Sequence, residues 1–179
     1  MNIHVHPLVV LRAALVIFTV AIVHTELFVE LRVFDVAPDP FVLIAVAAGL
    51  TAGPDRGAAM GFAAGLTFDL FLPTPFGLSA LVYCITGYLV GQVENTLVRP
   101  AWWISGVFAA GGTAFGVTGY VLVGELLGQK HLLSDLPDVL GVTVLYNAVL
   151  APLVVRVIAW VWRAAEDAPR PLRVDRVLN

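Results

Sequence analysis

The sequence predicts an all-α integral membrane protein with six transmembrane helices and both termini in the cytoplasm. Three observations carry that prediction. Of 179 residues, 59% are hydrophobic and 13% charged, with a mean hydropathy of +0.90; an ordinary soluble domain carries about a quarter charged residues. The charges cluster, and the apolar runs between them are too long for a soluble core. The basic residues also fall mostly on one side of a six-span arrangement, which sets the orientation.

The first apolar segment runs from about Leu8 to Val29. It contains Arg12 and is followed by no Ala-x-Ala site, so it reads as a retained helix rather than a cleaved leader. The second and third, Pro40 to Ala52 and Gly57 to Leu72, offer about 13 and 16 residues against the roughly 20 of a full span. Gly53-Pro54-Asp55-Arg56-Gly57 between them has the chemistry of a compact turn, with Pro at its second position and Gly at its exit. The pair is expected to be a tight spanning hairpin, with a partly re-entrant pair as the alternative. The fourth segment covers Phe76 to Gln92, the fifth Trp102 to Leu127 and the sixth Leu136 to Trp162. Pro152 removes a backbone bond inside the sixth.

With six spans both termini share a side. That side collects Arg12, Arg56, Arg99, Arg156, Arg163, Arg170, Arg173 and Arg176, leaving only Arg32 and Lys130 opposite. Trp102, Trp103, Trp160 and Trp162 fall at the same interface, where indoles prefer to sit. Residues 1–163 are therefore expected to form the transmembrane domain. Residues 164–179, polar and broken by Pro169 and Pro171, form a cytoplasmic tail.

Gly57, Gly61, Gly65 and Asp69 are spaced four apart, so a helix places them along one stripe. The rhythm recurs at Tyr83, Gly87 and Gly91 and at Gly112, Gly116, Tyr120 and Gly124. Small residues so spaced let helices approach closely where lipid removes the hydrophobic drive. Asp69 continues the first stripe and so points at a helix neighbour. A carboxylate at mid-bilayer costs about 2.5–3.5 kcal/mol on insertion scales, so donors must meet it or a proton must neutralise it. The available donors are backbone N–H groups of the Pro73–Gly77 turn, Ser79, or the start of the fourth helix, whose dipole favours an anion. Pro73 is expected to stop the third helix, Pro75 to preset the start of the fourth, and Gly77 to allow close backbone approach.

Chemistry-bearing constellations are scarce. Cys84 is the one cysteine, so a single chain builds no disulfide framework. His4 and His6 are two imidazoles without further ligands. There is no G-x-S-x-G, no H-E-x-x-H and no second intramembrane aspartate facing Asp69, which argues against an enzyme and for no catalytic residue, metal or cofactor. Polar residues within the spans are His24, Asp69, Tyr83, Asn95, Tyr120, Tyr146 and Asn147, which read as scattered over different helices and depths. A net charge of −3 offers no basic surface for nucleic acid.

Pro38-x-Pro40, then Gly61-Phe62-x-x-Gly65-Leu66-x-x-Asp69-Leu70, Pro75-x-Gly77-x-x-Ala80-Leu81 and Gly87-Tyr88-x-x-Gly91 resemble the rod shape-determining protein MreD family. The motif covers Pro38 to Gly91; size, span count and orientation extend the likeness to the rest of the chain. The resemblance implies a multi-pass protein of the bacterial inner membrane without catalysis. It also implies a fold similar to the substrate-binding subunits of energy-coupling-factor transporters. As partners it implies MreC, then RodA and a class B penicillin-binding protein, with MreB reached indirectly, in lateral peptidoglycan synthesis and cell shape. On this reading Gly61, Gly65, Asp69, Pro73, Pro75 and Gly77 form a partner interface or a structural hairpin. The alternative function is a small-molecule-binding membrane subunit of a transporter, suggested by the related fold, the short interrupted helices and the buried acid. Against it, the first-helix ladder reads Ala13, Ile17, Ala21, with a bulky residue where docking through Ala-x-x-x-Ala needs small ones.

Overall fold

The computed structural model describes residues 7–26, 39–94, 104–129 and 132–166. Among them are six helices and no strand: α1 (Pro7–Glu26), α2 (Pro40–Ala52), α3 (Pro54–Asp69), α4 (Leu78–Glu94), α5 (Ile104–Leu126) and α6 (Leu132–Glu166). Each matches one of the six expected segments. His4, His6, Glu30, Arg32, Pro38, Asn95, Arg99, Trp102, Trp103, Lys130 and the tail from residue 167 onward lie outside the described residues. α6 continues past Arg163 to Glu166, so the boundary expected at residue 163 falls inside its last turn.

α2 is the centre of the bundle. Every residue from Pro40 to Gly49 is buried, against α3, α4, α5 and α6. Its shortness follows from that position: a helix wrapped by protein has no need to match the thickness of lipid. Asp39 starts it, accepting from the N–H groups of Phe41 (3.0 Å) and Val42 (3.2 Å), with Pro40 in the first turn.

The expected five-residue turn between α2 and α3 contracts to Gly53 alone. With φ at +83°, Gly53 returns its N–H to the Gly49 carbonyl at 3.1 Å, and α3 begins at once with Pro54. Pro54 acts as a helix starter whose missing N–H would have been unpaired anyway, so Asp55, Arg56 and Gly57 are helical.

Three helices, α1, α5 and α6, are long and apolar enough to cross a membrane; α2 and α4 are shorter apolar helices. The exterior is apolar: Phe18, Leu145 and Val149 are 67%, 67% and 70% exposed. The interior holds Asp69, Ser79, Thr86, Thr113, Thr143 and Asn147. An exposed apolar surface around buried polar groups is the arrangement a hydrocarbon solvent selects.

The two ends of the bundle are chemically unlike. At one end, the Arg12 guanidinium donates to the Trp160 carbonyl (3.0 Å) and lies 4.4 Å from that indole's centre, while Arg56 lies 5.3 Å from the ring of Trp162. The start of α1, the start of α3 and the end of α6 therefore meet there. At the other end, α3 stops and α2 and α4 begin, around Asp39 and Asp69.

Candidate functional site: a hairpin capped by a buried acid

α3 and α4 pack with their backbones in contact. A methyl group on Gly65 would lie 2.5 Å from the Ser79 carbonyl oxygen and 2.6 Å from Ala80 Cα. One on Gly57 would lie 2.5 Å from the Gly87 oxygen and 2.7 Å from Gly49 Cα, and one on Gly91 would overlap Gly53 and Pro54. At Gly61 it would overlap the Tyr83 carbonyl. The first two glycine ladders are thus the two halves of one antiparallel seam, completed where Gly49 of α2 enters it. The third ladder differs. Gly112 and Gly116 face the side chains of Val46 and Val42, not backbone.

Asp69 closes this seam. Only 3% exposed, its Oδ2 accepts from the N–H groups of Gly77 (2.8 Å) and Ala80 (3.3 Å), and its Oδ1 from that of Ser79 (3.0 Å). These are the turn and first-turn donors expected from the sequence. At Ser79 the backbone does this work, since the Ser79 hydroxyl has no hydrogen-bond partner. The carboxylate of α3 is the N-terminal cap of α4, placed where unpaired N–H groups and the helix dipole favour an anion.

Two expectations about the loop change. α3 already ends at Asp69, so Pro73 sits in the loop and does not terminate the helix. Leu70 and Phe71 donate to Thr67 (3.3 Å) and Phe68 (2.9 Å) in tightened closing turns. Gly77 does not permit close approach, because a Cβ there would meet nothing within 4 Å; it is required by a φ of +98°, which turns its N–H onto Asp69. Pro75 does prepare α4, its carbonyl accepting from Leu78 N–H at 3.2 Å. Gly61, Gly65 and Asp69 are buried between the helices, Gly77 is half-buried, and Pro73 and Pro75 are exposed.

Of the polar residues that read as scattered, His24, Asp69, Tyr83, Tyr120 and Asn147 are gathered at this end. The Tyr83 hydroxyl donates to Asp39 Oδ2. Asn147 Nδ2 donates to the Asp39 carbonyl (2.9 Å) and to Thr113 Oγ1 (3.0 Å), and Tyr120 donates to Thr74 Oγ1 (3.2 Å). His24 packs edge-on to Phe41 and Phe68, centroids 5.6 and 5.5 Å away, and Phe68 stacks on Tyr83. Asp39, one residue ahead of α2, has its carboxyl pushed up to about 6 by burial, against the opposing hydrogen bonds from Tyr83, Val42 and Phe41. Its importance is partly legible in Asp39-Pro40 before an apolar run, a helix-start signature; its pairing with Tyr83, forty-four positions on, has no local signal.

Removing the Tyr83 hydroxyl tests that pairing. Tyr83→Phe leaves a buried acceptor without this donor and is expected to cost about 1–3 kcal/mol of stability. Thermal unfolding of the purified protein in detergent checks it, and an unchanged midpoint counts against the pairing.

Among the described residues no three His, Cys, Asp or Glu side chains form a group that could hold a metal ion. A family model for the rod shape-determining protein MreD matches residues 6–163. No curated protein and no solved structure matches the chain significantly. The family match runs from the first turn of α1 to the last turn of α6, and it includes the capped hairpin: the chain belongs to the MreD family.

Proposed function

We propose that this chain is a membrane scaffold of the bacterial cell-elongation machinery, binding MreC and helping to position RodA and a class B penicillin-binding protein, with MreB reached indirectly. Family membership places it in rod-shape determination, as a structural component and not as a member of a known enzyme family. The finer reading assigns it six spans in the inner membrane and both termini to the cytoplasm. The Arg12, Arg56, Trp160 and Trp162 cluster supports that orientation, since basic residues and indoles favour the cytoplasmic interface.

One observation carries the scaffold reading: the α3–α4 hairpin is rigid inside and apolar outside. Its glycines and Asp69 are consumed by intramolecular packing, so a partner cannot reach Gly61 or Gly65. Leu70, Phe71 and Phe76 instead point outward from the loop, 69%, 42% and 64% exposed. A rigid platform bearing outward aromatic side chains suits recognition of another protein, because little ordering is needed on binding. The polar groups at the same end bond mainly to one another, which favours a scaffold over a small-molecule carrier.

Phe76→Asp tests the surface. It is expected to leave the protein folded and to reduce recovery of co-purified MreC by about tenfold, a change of about 1.4 kcal/mol. Full recovery with intact folding removes this surface from the proposal. In cells, depletion is expected to round the rods, with rescue by wild type; vitamin auxotrophy with normal shape would point to transport instead.

A further inference from the structure

Two polar atoms on one face of α6 are left without partners. Thr143 and Asn147 lie one turn apart, 1% and 0% exposed, and neither Thr143 Oγ1 nor Asn147 Oδ1 has a hydrogen-bond partner. The amide orientation is fixed by its neighbours. Asn147 Nδ2 reaches two acceptors, the Asp39 carbonyl and Thr113 Oγ1, and a flipped amide would set its oxygen against that carbonyl oxygen. The unpaired atom is therefore an acceptor.

Four of the helical threonines bond back to the carbonyl one turn earlier in their own helix, and Thr143 does not. Thr19, Thr51, Thr67 and Thr86 each donate to the carbonyl four residues back, at 2.8, 2.7, 2.9 and 2.8 Å. That bond is open to a mid-helix threonine whose hydroxyl does not face solvent. The Thr143 hydroxyl does not make it, although it is sealed from solvent.

We propose that one buried water molecule sits between them, accepting from the Thr143 hydroxyl and donating to Asn147 Oδ1. Side chains four apart on a helix have Cβ atoms about 5–6 Å apart, a span that one water bridges. Buried waters are held by about two to four such bonds to otherwise unpaired groups, and these two atoms supply the lower number. A cation fits poorly. The nearest carboxylate in the network, Asp39, already accepts from Phe41, Val42 and Tyr83, and the two unpaired oxygens are neutral. With the water in place, a continuous chain runs Tyr83, Asp39, Asn147, water, Thr143. Thr113 is bonded to Asn147, so α2, α4, α5 and α6 are fastened at one end.

Thr143→Val keeps the shape and deletes the hydroxyl, so the sign of its effect decides. An unpaired buried hydroxyl is a cost, and its removal stabilises; a water-bonded one contributes, and its removal destabilises. The full chain in detergent is expected to lose about 2–4 °C in thermal midpoint. Combined with Asn147→Leu, the loss is expected to be smaller than the sum of the two, because both remove the same water. A raised or unchanged midpoint for Thr143→Val overturns the proposal, as does strict additivity in the pair. If Thr143→Val yields no folded protein, Thr143→Ser decides: near-wild-type stability supports the water, and failure to fold overturns it.

Discussion

Replacing Asp69 by alanine is expected to lower unfolding stability by about 3–5 kcal/mol, among the largest effects of any single substitution in this chain. Three backbone N–H groups, of Gly77, Ser79 and Ala80, converge on one carboxylate. Hydrogen bonds to a charged group contribute about 1.5–3 kcal/mol each, and donors left unpaired in a buried site cost more than bonds never made. The simple sum overstates the loss. Pro73, Pro75 and Phe76 are exposed, so the loop opens and water reaches Gly77 once the cap is gone. Ser79 and Ala80 are fully buried and have no such escape.

Asp69→Asn separates charge from shape. The amide keeps one oxygen and turns an NH2 group toward at least one backbone donor, so part of the network becomes donor against donor. The expected loss is about 2–3 kcal/mol, smaller than for alanine but well outside the noise of an unfolding transition. Denaturant or thermal unfolding of the purified variants checks both. Two variants within about 1 kcal/mol of wild type would mean that the hairpin holds without its cap.

Much of this was legible because bilayer physics is unforgiving. Six apolar segments follow from composition and spacing alone, and all six helices are found within a few residues of the expected edges. Asp69 was legible for the same reason: a carboxylate on a glycine stripe must meet donors, and the nearest were in the following turn. Local geometry was less so. Whether Gly77 serves close approach or a positive φ depends on the path of the loop, and both readings predict glycine. Gly53-Pro54 reads equally well as a turn or as a cap followed by a helix start. The network of Asp39, Tyr83, Thr113 and Asn147 was the least accessible, because it joins residues far apart in the chain. A helix face does not announce which buried polar group it will meet.

The glycine seam sets the second large effect. Gly65→Ala is expected to cost about 3 kcal/mol or more, at or beyond the upper end of ordinary overpacking. The added methyl meets the Ser79 carbonyl oxygen at 2.5 Å and Ala80 Cα and N at 2.6 Å, all of them backbone atoms with no rotamer to change. Relief requires α4 to move away from α3. Asp69 opposes that movement, since it grips the Ser79 and Ala80 N–H groups of the same turn. The clash and the cap therefore act on one hinge, and their effects cannot be independent: Gly65→Ala with Asp69→Ala is expected to lose less than the sum of the two single variants. Gly111→Ala is the internal control. A methyl there meets nothing within 4 Å, and alanine is the better helix former by up to about 1 kcal/mol, so stability should hold or rise. Gly112→Ala should fall between them, because its obstacle is the Val46 side chain, which has somewhere to turn only at some cost in a packed core. Unfolding midpoints ordered Gly65 below Gly112 below Gly111 would trace the cost to backbone contact. Equal midpoints for Gly65→Ala and Gly111→Ala would show that these two helices do not depend on touching.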